Sequence, residues 1–155
     1  PEGLSPEDTV RYIAKKKCDA AAALCSPDDL IITADTMVFL DNDRLGKPHD
    51  EEDAFRMLRE LAGRGHTVCT GVSVRRGEPS ELFAVSTRVF FRPAMDDEIR
   101  AYIKTGEPMD KAGAYGVQSR GALFVERIDG DFFNVMGLPV EQLGLVLARF
   151  GVKLL

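Results

Sequence analysis

Two runs of strict alternation constrain this chain more than anything else in it. Val68, Thr70, Val72 and Val74 share one face of an extended segment, and Phe83, Val85, Thr87, Val89 and Phe91 share one face of a second. A side-chain period of two belongs to β-strands, and a slip of one residue would turn every apolar group to the wrong side. Arg75-Arg76-Gly77-Glu78-Pro79 lies between the runs, so the pair reads as a hairpin. Its apolar face must be covered, and the remaining sequence supplies helices.

Ser5-Pro6-Glu7-Asp8 is a helix start, with Ser5 as N-cap, Pro6 at the first helical position and Asp8 as the returning acid of a capping box. Val10, Ile13, Ala14, Cys18, Ala21 and Leu24 follow at helical spacing, and Ser26-Pro27 ends the helix. Leu30-Ile31-Ile32 reads as a strand buried on both faces that continues to Leu40, with turn chemistry in Asp41-Asn42-Asp43. Asp50-Glu51-Glu52-Asp53 opens a second helix with Ala54, Met57, Leu58 and Leu61 inward, stopped by Gly63. Asp96-Asp97-Glu98 opens a third, with Ile99, Tyr102 and Ile103 inward and Gly106 at its end. Residues 122–128 and 132–136 read as a second hairpin around Asp129-Gly130, and Pro139 starts a last helix with Leu143, Val146, Leu147 and Phe150 buried. The expected architecture is α/β, a mixed central sheet flanked by helices.

At 155 residues the chain is the size of one domain and needs no staples to fold. Its net charge is −5, from 20 Lys+Arg against 25 Asp+Glu, which argues against nucleic-acid binding through phosphates. No apolar run approaches the roughly 18 residues of a transmembrane helix, and no signal peptide opens the chain, so no membrane partner is expected. Cys18, Cys25 and Cys69 are odd in number and form no C-x-x-C, which points to free thiols in a reducing cytoplasm.

The P-loop, dinucleotide, nucleophile-elbow and zinc-protease signatures are all missing. Three polar segments interrupt apolar surroundings instead. Asp35-Thr36 follows an apolar run, where a carboxylate can bind a divalent ion or take a proton from water. Lys47, between Gly46 and Pro48, is an ammonium on a short loop and suits phosphate as a point charge. Asp110 to Gln118 is glycine-rich, and Gln118 offers both an acceptor and a donor to a base edge. Each has an ordinary reading as well: a turn-capping aspartate, an exposed loop lysine, a structural glycine loop.

Taken in order, Asp35-Thr36-Met37-Val38, Leu45-Gly46-Lys47-Pro48, the Leu61 to Val68 segment, the Gly106 to Gln118 segment and Asn134 to Pro139 resemble the Maf family of nucleoside triphosphate pyrophosphatases. The match runs from about Leu4 to the end of the chain. The resemblance implies an inosine triphosphate pyrophosphatase-like fold with two lobes and a nucleotide cleft, in one domain over residues 1–155. It implies hydrolysis between the α- and β-phosphates to a monophosphate and pyrophosphate, with Mg²⁺ or Mn²⁺ as cofactor. Asp35 then matches the proton acceptor and metal-binding carboxylate, and Lys47 and Lys17 match substrate-binding lysines. Thr36 and Gln118 look like the branch acting on dTTP and UTP, since Gln118 can pair with the carbonyl and N–H of a uracil-type edge. A homodimer in the cytoplasm is also implied.

One departure affects these expectations. Family members begin with a strand and an S-x-S-P-R-R turn that grips the triphosphate, and that segment would precede Pro1. Two further readings follow: a nucleotide-sensing module linked to arrest of cell division, and a purine-directed enzyme of the inosine triphosphatase type.

Overall fold

The structure, a computed structural model, describes residues 3–155; residues 1 and 2, where the domain is expected to begin, lie outside it. Five helices, α1 (Pro6–Ala22), α2 (Glu51–Leu61), α3 (Asp96–Ile103), α4 (Phe132–Met136) and α5 (Val140–Arg149), accompany one sheet. Its strands are β1 (Ile31–Leu40), β2 (Asp43–Leu45), β3 (Gly65–Arg75), β4 (Ser80–Phe91) and β5 (Val125–Asp129), in the order β2-β1-β3-β4-β5. The pairs β1–β2 and β4–β5 are antiparallel. This is the expected α/β fold, a sheet with flanking helices.

The chain divides into two compact units. One comprises Pro1–Thr36, Cys69–Ser86 and Phe133–Leu155; the other comprises Met37–Val68 and Thr87–Phe132. In the first, Val72 and Val74 of β3 pack with Leu143, Val146 and Leu147 of α5, and Phe83 and Phe150 close the cluster. In the second, Phe91 meets Tyr115 edge-on at 4.7 Å and His66 at 5.0 Å between ring centroids. Leu58, Leu61 and Ile99 are fully buried there.

The alternation in β3 and β4 places its residues as expected, with Val72, Val74 and Val89 all 0% exposed. β3 goes further, because Cys69 and Ser73 on its other face are buried as well. The start of α1 is also as read: Ser5 caps it, accepting from the Asp8 amide at 3.1 Å. Asp8 closes the box differently, taking the Ser5 hydroxyl at 2.8 Å.

Three expectations are corrected. Helix α1 ends at Ala22, and Leu24 is 89% exposed rather than part of the buried stripe, because Leu24 N already bonds back to Ala21 O in a turn. The Leu30 to Ile32 run is not buried on both faces among the described residues: Ile32 is 41% exposed, and full burial within β1 comes only at Val38 to Leu40.

The third correction concerns residues 132–136, which form α4 and not the second arm of a hairpin. After β5, the Thr87 hydroxyl accepts from Asp131 N at 3.1 Å and also lies 3.2 Å from Asp131 O. A side chain thus ties the backbone where a strand ladder would have to start. Gly130 lies against Thr87 at φ +127, where a Cβ would sit 3.0 Å from the Thr87 hydroxyl oxygen. Phe133 O then accepts from Gly137 N and Leu138 N, which ends α4 as a helix.

Candidate active site

Lys17 and Asp35 meet because α1 is pinned to the sheet. Gly71 of β3 faces the helix backbone so closely that a Cβ there would lie 2.3 Å from Val10 C and O. Four residues along α1 from Val10, Ala14 O accepts the Thr33 hydroxyl of β1 at 2.7 Å. One turn beyond Ala14, Lys17 Nζ donates to Asp35 Oδ1 at 2.7 Å and to Ala34 O at 3.1 Å. The Asp35 side chain is 17% exposed, and its Oδ2 is buried with no hydrogen-bond partner. One carboxylate oxygen is neutralised and fixed, and the other is left with its lone pairs unused.

Thr36 is fixed by a chain of hydroxyls. Its Oγ1 lies 2.8 Å from Thr70 Oγ1 and 3.3 Å from Gly137 O, while Thr70 Oγ1 donates to Asn134 O at 3.1 Å. Each hydroxyl has one proton, with a main-chain carbonyl (Gly137 O for Thr36, Asn134 O for Thr70) and the other hydroxyl within reach, so both side chains are held in place. Lys17, Asp35 and Thr36 are therefore brought together inside the first unit.

Lys47 and Gln118 belong to the second unit, and each is exposed. Gly113 N donates to Gly46 O at 3.0 Å, which ties the Lys47 loop to the glycine-rich segment. Gly113 is at φ +70, and a Cβ there would press on Val38 at 3.0 Å, so glycine is required on two counts. Lys111 Nζ donates to Asp110 Oδ1 at 2.7 Å. That bond, then the Lys111 charge and the weaker field of Lys47, hold the Asp110 carboxyl below its usual range.

Residues 107–124 form three 3-10 turns. Glu107 is their hub, and the sequence reading had no role for it. The signal was a carboxylate in Gly-Glu-Pro directly ahead of a glycine-rich loop, which is a common enough string to pass unremarked. Thr70 and Asn134 were missed for another reason: each reads as a strand or core residue, and only folding sets them beside Thr36.

The α/β fold thus holds a largely buried aspartate against a helix lysine and carries a glycine-rich loop anchored by a carboxylate. The Maf-like protein family model matches residues 1–150, and the chain belongs to that family. A dTTP/UTP pyrophosphatase from Bacillus velezensis is 51% identical over 150 residues, covering 97% of this chain and 79% of that protein. One from a Geobacillus species is 48% identical over 150 residues, covering 97% and 80%. Another from Syntrophomonas wolfei is 46% identical over 155 residues, covering 99% and 82%. Among the described residues, no helix is long and apolar enough to cross a membrane.

Proposed function

We propose that this chain is a nucleoside triphosphate pyrophosphatase acting on dTTP and UTP. The observation that carries the reading is the Asp35 carboxylate, held by Lys17 at 2.7 Å through one oxygen and unpartnered at the other. Relatives named dTTP/UTP pyrophosphatase support the substrate class. Water adds across the anhydride between the α- and β-phosphates, the bridging bond breaks, and one proton of the water passes to Asp35. A monophosphate and pyrophosphate are the products. Lys17 holds Asp35 in place through Oδ1, and Lys47 serves as a point charge for phosphate. Thr36 and Gln118 contribute to choice of base, Gln118 by pairing with the carbonyl and N–H of a uracil or thymine edge.

Asp35 Oδ2 also fits a divalent ion, Mg²⁺ or Mn²⁺. Among the described residues no group of three His, Cys, Asp or Glu side chains could hold one, so water and the substrate's own phosphates would complete its shell. Mg²⁺ is commonly bound in that way, through one or two carboxylates. When bound it would neutralise phosphate charge. The reading extends to a homodimer working in the cytoplasm; the free thiols of Cys18, Cys25 and Cys69 support the second part.

The test is pyrophosphate release from dTTP and UTP with Mg²⁺ or Mn²⁺, with light scattering for the dimer. Replacing Asp35 with Asn should lower kcat by about 10²–10⁴-fold, the usual worth of a positioned base. Full activity in that variant would remove Asp35 from the chemistry. Binding of a non-hydrolysable triphosphate without any turnover of dTTP by the natural chain would overturn the enzyme reading in favour of a binding module.

A further inference from the structure

Glu107 accepts four hydrogen bonds. Its Oε1 takes the Tyr102 hydroxyl at 2.8 Å, the Ser119 hydroxyl at 2.6 Å and the Gly121 amide at 3.1 Å; its Oε2 takes the Arg120 amide at 3.3 Å. Tyr102 Oη in turn accepts from the Gly116 amide at 3.2 Å. The chain closes so tightly around these two side chains that a Cβ on Gly121 would lie 2.5 Å from Gly116 O and 2.8 Å from Tyr102 Oη. Tyr102 is itself fixed, 5% exposed and edge-on to Phe124 with centroids 5.3 Å apart.

Among the described residues, every donor that meets Glu107 is a hydroxyl or a main-chain amide, and no lysine or arginine head group is among the bonds it accepts. A carboxylate is the only side chain that offers acceptors alone in this shape. Burial would raise its pKa, yet the bonds from Ser119, Tyr102, Gly121 and Arg120 outweigh that and hold it below the usual range. It is therefore held toward the ionised form. The residue enclosed by these hooks is Gln118: Gly116 is bonded two positions before it, and Ser119, Arg120 and Gly121 directly after it. Gln118 itself is exposed.

We propose that Glu107 is a positioning residue for base selection, holding residues 119–121 directly and Gly116 through the Tyr102 hydroxyl, so that the Gln118 amide between them is presented in one place. This rests on the reading of Gln118 as the group that meets the pyrimidine edge. A glutamine that wanders must be ordered by each substrate it binds, which costs affinity, and it can also settle against the edge of a competing base, which costs discrimination.

Three variants test it: Glu107→Gln, Tyr102→Phe and Gln118→Ala, each checked for folding by circular dichroism. Glu107→Gln keeps the shape but turns an NH₂ toward a main-chain donor. We expect it to raise KM for dTTP about tenfold and to lower the dTTP-to-GTP ratio of kcat/KM about tenfold, with kcat within about threefold. Amide hydrogen exchange at Gly116, Arg120 and Gly121 should accelerate in the same variant. Tyr102→Phe, which keeps the carboxylate but loses both the bond to Glu107 and the Gly116 anchor, should show a shift of the same kind. A merely structural role would lower kcat for both substrates and leave the ratio unchanged, and that result overturns the proposal. So does a wild-type ratio in Glu107→Gln when Gln118→Ala has lost it. A wild-type ratio in Gln118→Ala overturns the base-reading role of Gln118 itself, which tells the two failures apart.

Discussion

His66 lies in β3 with 1% of its surface exposed, and its Nε2 is 2.7 Å from the Tyr115 hydroxyl. Burial, with a smaller push from the Arg88 charge, lowers its pKa from 6.5 to about 3. The folded protein refuses a proton that the unfolded chain takes below pH 6.5. This group's contribution is complete above pH 6.5 and is lost as pH falls toward 3, at up to ~1.4 kcal/mol per pH unit. Urea unfolding between pH 6.5 and 5 should therefore show a steeper loss for the natural chain than for His66→Gln, by about 1–2 kcal/mol across the interval. Equal slopes would show that His66 does not supply the dependence. At this scale the sequence was legible by residue type. Asp35 and Lys47 stand out as polar groups in apolar or glycine-rich surroundings, whereas His66 and Glu107 do not. The family resemblance marked Lys17 as a substrate-binding lysine, but its pairing with Asp35, 18 positions later, came only with the fold, since no local pattern spans a helix and a strand.

Helix α1 owes its seat to a residue with no side chain. Replacing Gly71 with Ala would drive a methyl group into the Val10 backbone at 2.3 Å, and neither β3 nor a helix backbone can yield as a flexible side chain would. Stability should fall by at least the 1–3 kcal/mol typical of overpacking. The shift should also carry Lys17 away from Asp35, so kcat should drop in the fraction that remains folded. A variant that melts with the natural chain and keeps full kcat would show that α1 accommodates the methyl. Elements were read well where period and caps agree, as in β3, β4, α2 and α5. Residues 132–136 were misread because Asp129-Gly130 imitates a hairpin turn, and the decisive bonds come from Thr87, more than forty positions back, at 3.1 and 3.2 Å. Turn chemistry is local, and a side chain that captures the backbone from a distant strand leaves no mark beside it.

Neither compact unit is one continuous stretch of chain; the first is assembled from three segments and the second from two. A cut after residue 132 would keep all of the second unit but strip Leu143, Val146 and Leu147 from Val72 and Val74. Each such side chain is worth about 1.5–3 kcal/mol, and the sum approaches the whole stability of a typical domain. We expect that truncated chain to aggregate and to lack a cooperative melt by circular dichroism; a soluble product with the natural melting temperature would show that the first unit is dispensable. The overall class was legible because charge, length and alternation are summed properties. Two lobes were expected from the family resemblance, but which segments build each unit was not legible, because that depends on which distant segments pack. The anchoring of residues 116–121 has a consequence for descent. Its hooks are main-chain amides of Gly116, Arg120 and Gly121 and the Ser119 hydroxyl, none of which belongs to residue 118. A lineage can change that position by a single codon and inherit the scaffold unaltered, so taste for the base is free to diverge while the frame that displays it stays put.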